Sequence, residues 1–197
     1  MPGTIDCKAL FDGLTAGGSF STELDQAAPD CVCENCVLSG FGPVDEGESL
    51  LRIVIAPTHI DKKKRPKAAV FTHAETIGMS CFRSAHATDA ELIFTANELT
   101  ANSTDPKAGV FGVVIISKTS IKAVVEPAGT GSSYCIYDTE LPQKPAHADV
   151  CQRVAGAGPD IHQGRRQALL RSADCVFVPV SQFRNGILMP YKAADAP

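Results

Sequence analysis

The side chains best suited to chemistry lie between Tyr134 and Asp149. An apolar run, Tyr134-Cys135-Ile136-Tyr137, ends in Asp138, Thr139 and Glu140. The passage Leu141-Pro142-Gln143-Lys144-Pro145 is stiffened by its prolines, and His147 and Asp149 follow it. Titratable groups concentrated beside a rigid loop are where catalysis is usually housed. His147 is the expected general base or acid, with Asp149 as its orienting carboxylate. Asp138 or Glu140 would serve as a second acid, metal ligand or substrate anchor. Read as a helix start, the segment is awkward, because helical neighbours lie three or four residues apart and His147 and Asp149 are separated by two. The structural alternative is an Asp149 that charges a helix N-terminus and a His147 bonded within its own loop.

A second group, Gly78 to His86, contains Arg83 ahead of a well-signalled helix. A guanidinium there can clamp a phosphate or carboxylate with two prongs, or it can neutralise a carboxylate of the fold. Lys62-Lys63-Lys64-Arg65 forms the densest basic run, readable as an anion-binding patch or as a solvated turn. Together with His73, these four residues are the expected substrate-binding set. No Gly-x-x-x-x-Gly-Lys-Ser/Thr, Gly-x-Gly-x-x-Gly, Gly-x-Ser-x-Gly or His-Glu-x-x-His occurs, which removes the commonest nucleotide, hydrolase and metalloprotease signatures.

Three thiols stand within six residues, Cys31, Cys33 and Cys36, in a stretch with few periodic signals. In a reducing compartment close thiols read as metal ligands, so a zinc ion on Cys31, Cys33 and Cys36 is expected, with Cys7 and His59 the nearest candidates for a fourth ligand; the alternatives are free structural thiols and redox or disulfide chemistry. Cys81, Cys135, Cys151 and Cys175 sit in apolar surroundings and read as buried small hydrophobes. Cys33-x-x-Cys36 with the following Gly40 and Gly42 resembles one zinc knuckle of DnaJ-type zinc-binding regions. The glycine is displaced and no second Cys-x-x-Cys exists, so the resemblance spans about ten residues and implies a metal knuckle without a function. His73-Ala74-Glu75 is similar to the His-x-Glu of zinc deaminases, which would make His73 a ligand and Glu75 a proton carrier. The Pro-Cys-x-x-Cys those enzymes need downstream is missing, and Cys33 and Cys36 precede the histidine.

The elements that must position these groups are legible in part. A short helix is expected over residues 4–14 and loop over 15–47, held by the cysteines. Leu50–Ile55, Ala68–Phe71, Val110–Ile116, Ile121–Val125, Tyr134–Tyr137 and Cys175–Val178 read as about six strands. Lys118-Thr119-Ser120 and Gly129-Thr130-Gly131-Ser132 read as hairpin loops. Thr88 with Glu91 forms a capping box for a helix running past Leu99. Two further helices are expected, one after His147 and one from an Asp160 cap through Leu170. This order gives an α+β fold with a mixed or mainly antiparallel sheet of about six strands and about three helices. The expected division is an acidic, cysteine-rich segment, 1–48, and an α+β body, 49–197.

The chain has 197 residues, a net charge of −4 and 44% hydrophobic residues, an ordinary globular composition that excludes collagen, coiled coil and wholesale disorder. Charge is unevenly spread. Residues 1–50 hold nine acidic residues against Lys8 alone, whereas the remainder carries 17 basic and 13 acidic residues. Clusters this small make a poor duplex-binding surface. The longest apolar stretches are far short of the about 20 residues of a membrane-crossing helix, and Met1–Asp6 lacks a basic flank and apolar run, so a cytoplasmic protein without membrane contact is expected. Two functions remain. One is a small soluble enzyme acting on a nucleotide, nucleic-acid end or other phosphorylated substrate, through the His147 loop and an Arg83/lysine anion clamp. The other is a non-catalytic, zinc-stabilised interaction module whose acidic segment docks on a basic protein partner or on its own body.

Overall fold

A computed structural model describes residues 5–14, 20–125 and 131–191. Six strands form one sheet: β1 (Ser49–Ala56), β2 (Met79–Arg83), β3 (Gly109–Ser117), β4 (Tyr134–Asp138), β5 (His147–Gln152) and β6 (Val176–Pro179). Their order is β4-β5-β2-β1-β3-β6, with every neighbouring pair antiparallel. Among the described residues the α-helices are α1 (Cys7–Gly13), α2 (Phe20–Ala27), α3 (Asp89–Ala101), α4 (Lys118–Lys122) and α5 (Pro159–Leu170). The fold is therefore α+β with an antiparallel sheet, as expected, but with more helix.

Both faces of the sheet are covered, which is why β1 reads Leu-Leu-Arg-Ile-Val-Ile without polar alternation and is buried along nearly its whole length. One face packs Leu50, Val54, Met79, Val114, Ile136 and Val150 beneath α5, α4 and the turn at Ala68–Phe71. The opposite face carries two separate covers. Over β1 and β3, α3 buries Leu92 and Ala96 against Leu51, Ile53, Phe82 and Val113. Over β4 and β5, α2 and the cysteine-rich segment bury Leu24, Ala28 and Cys33 against Cys135, Tyr137 and Cys151, with Leu10 and Phe11 of α1 packed alongside. At the seam between these covers Ser80 of β2 and Asp149 of β5 are only part-buried, while their neighbours along both strands are buried.

Several local expectations give way to tertiary context. Ala68–Phe71 forms a single 3-10 turn rather than a strand, and Ile121–Val125 is displaced by α4, whose start is capped by Ser117 Oγ accepting from the Ser120 amide at 3.1 Å. Residues 147–152, expected as a helix, form β5, and residues 79–83 form β2. Both strands are rich in small and polar side chains, so they lack the β-branched run that signals a strand. The capping box at α3 is present, Thr88 Oγ1 accepting from Glu91 N at 3.3 Å and Glu91 Oε2 accepting from Thr88 N at 2.7 Å. Gly158, not Asp160, precedes α5. Gly129 and Thr130 of the expected hairpin loop, like residues 15–19 of the expected 15–47 loop, lie outside the described residues; within that stretch α2 is helical.

In the structure the cysteine-rich segment is tied by two disulfides, Cys7–Cys33 and Cys31–Cys135. Cys135 is thus a crosslink and not a buried free thiol, while Cys81 and Cys151 are free and buried. The carboxylates of the segment are drawn onto the basic body: Glu34 pairs with Lys122, Asp30 with Arg153 and Glu46 with Lys118 at 2.7–3.0 Å.

Candidate active site

Strand alternation decides which groups meet. On β5, His147 and Asp149 project to one side, because two residues is the repeat of a strand. Across the ladder they face Phe82 and Ser80 of β2, Ser80 standing opposite Asp149. Ser80 Oγ lies 2.6 Å from His147 Nε2. At the other edge of the imidazole, Thr139 Oγ1 lies 2.9 Å from Nδ1 and 2.9 Å from Asp149 Oδ2, while Nδ1 and Oδ2 are themselves 3.8 Å apart. The spacing that defeats a helical His–Asp pair is thus the spacing a strand supplies, with a threonine bridging the remainder.

The proton inventory assigns each role. A carboxylate only accepts, so the single Thr139 hydroxyl proton goes to Asp149 Oδ2. Thr139 oxygen must then accept from His147 Nδ1–H, which leaves Nε2 bare and able to accept from Ser80 Oγ–H. The chain of donors runs Ser80 to His147 to Thr139 to Asp149. Burial pushes the His147 pKa below its usual value. Asp149 opposes that shift, and Lys144 and Arg52 add to it, so the imidazole is neutral at pH 7 and competent as a base. Buried Arg52 also donates from Nη1 to the Ser80 carbonyl at 2.5 Å and from Nε to the Val70 carbonyl at 3.3 Å, which pins the β2 backbone at the serine.

A glycine makes the approach possible. Gly78 has φ +83°, and a Cβ there would come within 2.9 Å of Asp149 Oδ1. The constellation opens into a cleft of about 840 Å³. Phe11 and Leu14 from the α1 region, Phe20 of α2, and Leu141, Pro142 and Pro145 of the stiff loop line it, with Ser80, His147 and Asp149 in its wall. Its charged lining comprises Lys8, Asp12, Glu140 and Asp149. The disulfide at Cys7 anchors α1, and hence the Phe11 side of the wall, to the segment that caps β4 and β5.

The structure brings together His147, Asp149 and Glu140 of the expected set, Glu140 as an exposed residue of the rim. Asp138 and Arg83 project to the opposite face of the sheet, as their alternation with Thr139, His147 and Phe82 requires. There Arg83 is buried, bidentate to Glu48 at 2.8 and 2.9 Å and 3.6 Å from Asp138. Asp138 accepts from the Ser39 amide at 2.8 Å. Those two expected catalytic residues hold the 39–48 loop and do not reach the cleft. Lys62, Lys63, Lys64 and Arg65 form an exposed turn away from the cleft lining, Arg65 being paired with Asp61. His73 is likewise outside the lining, exposed in a turn with φ +79°, and Glu75 is bound to Arg166.

Cys31 and Cys33 are oxidised in different disulfides, Cys36 is free, and His59 Nδ1 accepts from Ile55 N at 3.1 Å. A disulfide sulfur carries no thiolate charge, so the three-thiol ligand set is not assembled. Among the described residues no three His, Cys, Asp or Glu side chains converge to hold a metal. Ser80 and Thr139 are the members of this constellation to which the sequence alone assigns no role; Ser80 stands two residues after Gly78 in a segment that reads as a connection. No helix among the described residues is long and apolar enough to cross a membrane. No family model, no curated protein and no solved structure matches this chain, so the chemistry of the cleft rests on its geometry.

Proposed function

We propose that the protein is a hydrolase that cleaves esters through a covalent serine intermediate, with Ser80 as nucleophile, His147 as general base and acid, and Asp149 acting on His147 through Thr139. The observation that carries this reading is the 2.6 Å contact between Ser80 Oγ and a neutral, buried His147 Nε2 at the wall of a roomy cleft. Ser80 Oγ attacks the acyl carbon as its proton passes to Nε2. The C–O bond to the alcohol breaks, and the alcohol leaves with that proton. Water then gives its proton to Nε2, its oxygen bonds to the acyl carbon, and Ser80 departs reprotonated, releasing the acid.

A neutral scissile bond suits the site better than a phosphoester, because Arg83 is committed to Glu48 behind the sheet and Lys8 is the one cation beside three carboxylates in the cleft lining. The ion pairs that hold the acidic segment to the body favour catalysis over a role as a free docking arm. Two disulfides favour an oxidising compartment over the cytoplasm. The test is turnover of neutral aryl esters by the wild type, Ser80→Ala and His147→Ala, each checked for a native melting transition. Loss of turnover in both folded variants supports the reading. Turnover that survives Ser80→Ala rejects it.

A further inference from the structure

The two disulfides gather four sulfurs from three parts of the chain. Cys7 opens α1, Cys31 and Cys33 lie in the segment that follows α2, and Cys135 lies in β4. All four belong to one apolar patch with Leu24, Ala28 and Tyr137, in which Cys33 is 1% and Cys135 4% exposed. The bonded Cα atoms stand 5.5 Å apart for Cys7–Cys33 and 5.2 Å for Cys31–Cys135. Cys31 and Cys33 are separated by two residues, at most about 7 Å of chain. The backbone also turns there, Cys31 O accepting from Glu34 N at 2.9 Å, so the two bonded pairs stand side by side. Lys122, the last residue of α4, brings its ammonium to 3.5 Å from Cys31 Sγ.

We propose that in the reduced chain Cys7, Cys31, Cys33 and Cys135 hold one zinc ion as four thiolates, so that a metal takes over from the disulfides the tie between α1, the acidic segment and β4. This stands apart from the ester chemistry of the cleft. Bonded in pairs, none of these sulfurs carries the charge a metal needs, and reduction supplies it. Each disulfide takes two electrons and two protons from a phosphine or dithiol, and zinc then displaces four protons. Sulfurs at about 2.3 Å from one tetrahedral ion lie about 3.8 Å from one another, a spacing that Cα atoms 5.2 and 5.5 Å apart can span. Four protein ligands close the tetrahedron, which makes the site structural. Lys122, shared with Glu34 at 2.9 Å, offsets part of the negative charge that four thiolates leave on zinc. The set differs from the Cys31, Cys33 and Cys36 of the spacing rule. Cys36 is free, as is Cys151, although Cys151 stands opposite Cys135 across the ladder. The bonded cysteines are the ones whose side chains already aim at a common centre.

The experiment titrates the full chain, reduced anaerobically by a phosphine, with Co²⁺ and then Zn²⁺, and follows the sulfur-to-cobalt absorption of a tetrahedral thiolate centre. In parallel, iodoacetamide labelling of the reduced wild type with and without Zn²⁺ is mapped by mass spectrometry. One Co²⁺ per chain is expected to give the four-thiolate spectrum and to be displaced by Zn²⁺. Zinc should shield Cys7, Cys31, Cys33 and Cys135 from alkylation and leave Cys36 reactive. Cys36→Ser and Cys151→Ser should bind within about threefold of wild type, and Cys135→Ser, checked by circular dichroism, at least about a hundredfold more weakly. A reduced wild type that takes up no Co²⁺, an oxidised one that gives the same spectrum, or zinc that shields Cys36 while Cys135 is alkylated overturns the proposal. The wild-type labelling decides the matter even where a variant does not fold.

Discussion

Thr139 is the least conventional part of the site, and replacing it by valine tests the relay directly. Valine keeps the shape and removes the oxygen that links His147 Nδ1 to Asp149 Oδ2, each 2.9 Å away. The imidazole and carboxylate, 3.8 Å apart, are too far for a direct hydrogen bond without rearrangement. A hydrogen bond to a charged group contributes about 1.5–3 kcal/mol. At about 1.36 kcal/mol per decade, its loss from the transition state lowers kcat by roughly 10- to 150-fold. Thr139→Ser retains the hydroxyl and should stay within about threefold of wild type on the same scale. The assay is steady-state hydrolysis of a neutral aryl ester by all three proteins, with melting curves to confirm folding. Wild-type kcat in Thr139→Val would refute the relay, as would a Thr139→Ser enzyme as slow as Thr139→Val.

Four further outcomes follow from the same geometry. Because burial lowers the His147 pKa, the active neutral form persists below pH 6.5, and the acid limb of kcat/KM should have its midpoint under that value; a midpoint above it contradicts the assignment. His59 is held near pKa 3 by burial, so between pH 6.5 and about 3 the unfolded chain gains a proton that the folded chain refuses. Stability therefore falls as pH falls through that window, and His59→Gln should flatten the slope by about 1.4 kcal/mol per pH unit in urea titrations. The disulfides close loops of 26 and 104 residues, for which chain entropy gives about 3.5 and about 4.7 kcal/mol, so reduction should lower the urea midpoint substantially and raise KM as the α1 wall loosens. Gly78→Ala forces a side chain onto a φ of +83° and against Asp149, so it should cost about 1–3 kcal/mol and depress kcat; an unaffected variant would show that the turn relaxes freely.

Much of the architecture was readable from local signals. β1 and β3 announce themselves as long β-branched runs, and Thr88 with Glu91 marks the start of α3. The strands that carry the site did not, for a physical reason. Met79-Ser80-Cys81-Phe82-Arg83 and His147-Ala148-Asp149-Val150-Cys151-Gln152 alternate polar groups onto a face that a cleft leaves open, so neither shows the apolar pattern that marks a buried strand. Reading residues 147–152 as a helix separated His147 from Asp149, whereas the strand unites them. It also hid Ser80, which only an antiparallel partner brings within reach. Residue type alone points to Arg83 and Asp138, and strand parity, which no local signal carries, turns both to the other face. The expectation that cysteines hold the acidic segment is met by two disulfides, and the expected three-thiol ligand set is not assembled among the described residues. Cys7 and Cys135 are 26 and 104 residues from their partners, and no spacing rule reports pairings of that kind.

The central claim is that Ser80 is a nucleophile activated by His147. A fluorophosphonate phosphonylates an activated serine far faster than an ordinary one, and tryptic mass spectrometry locates the adduct. The account predicts one adduct per chain, on Ser80, formed in the wild type and missing from a folded His147→Ala variant. An unmodified Ser80, or labelling that proceeds equally well without the imidazole, would contradict it.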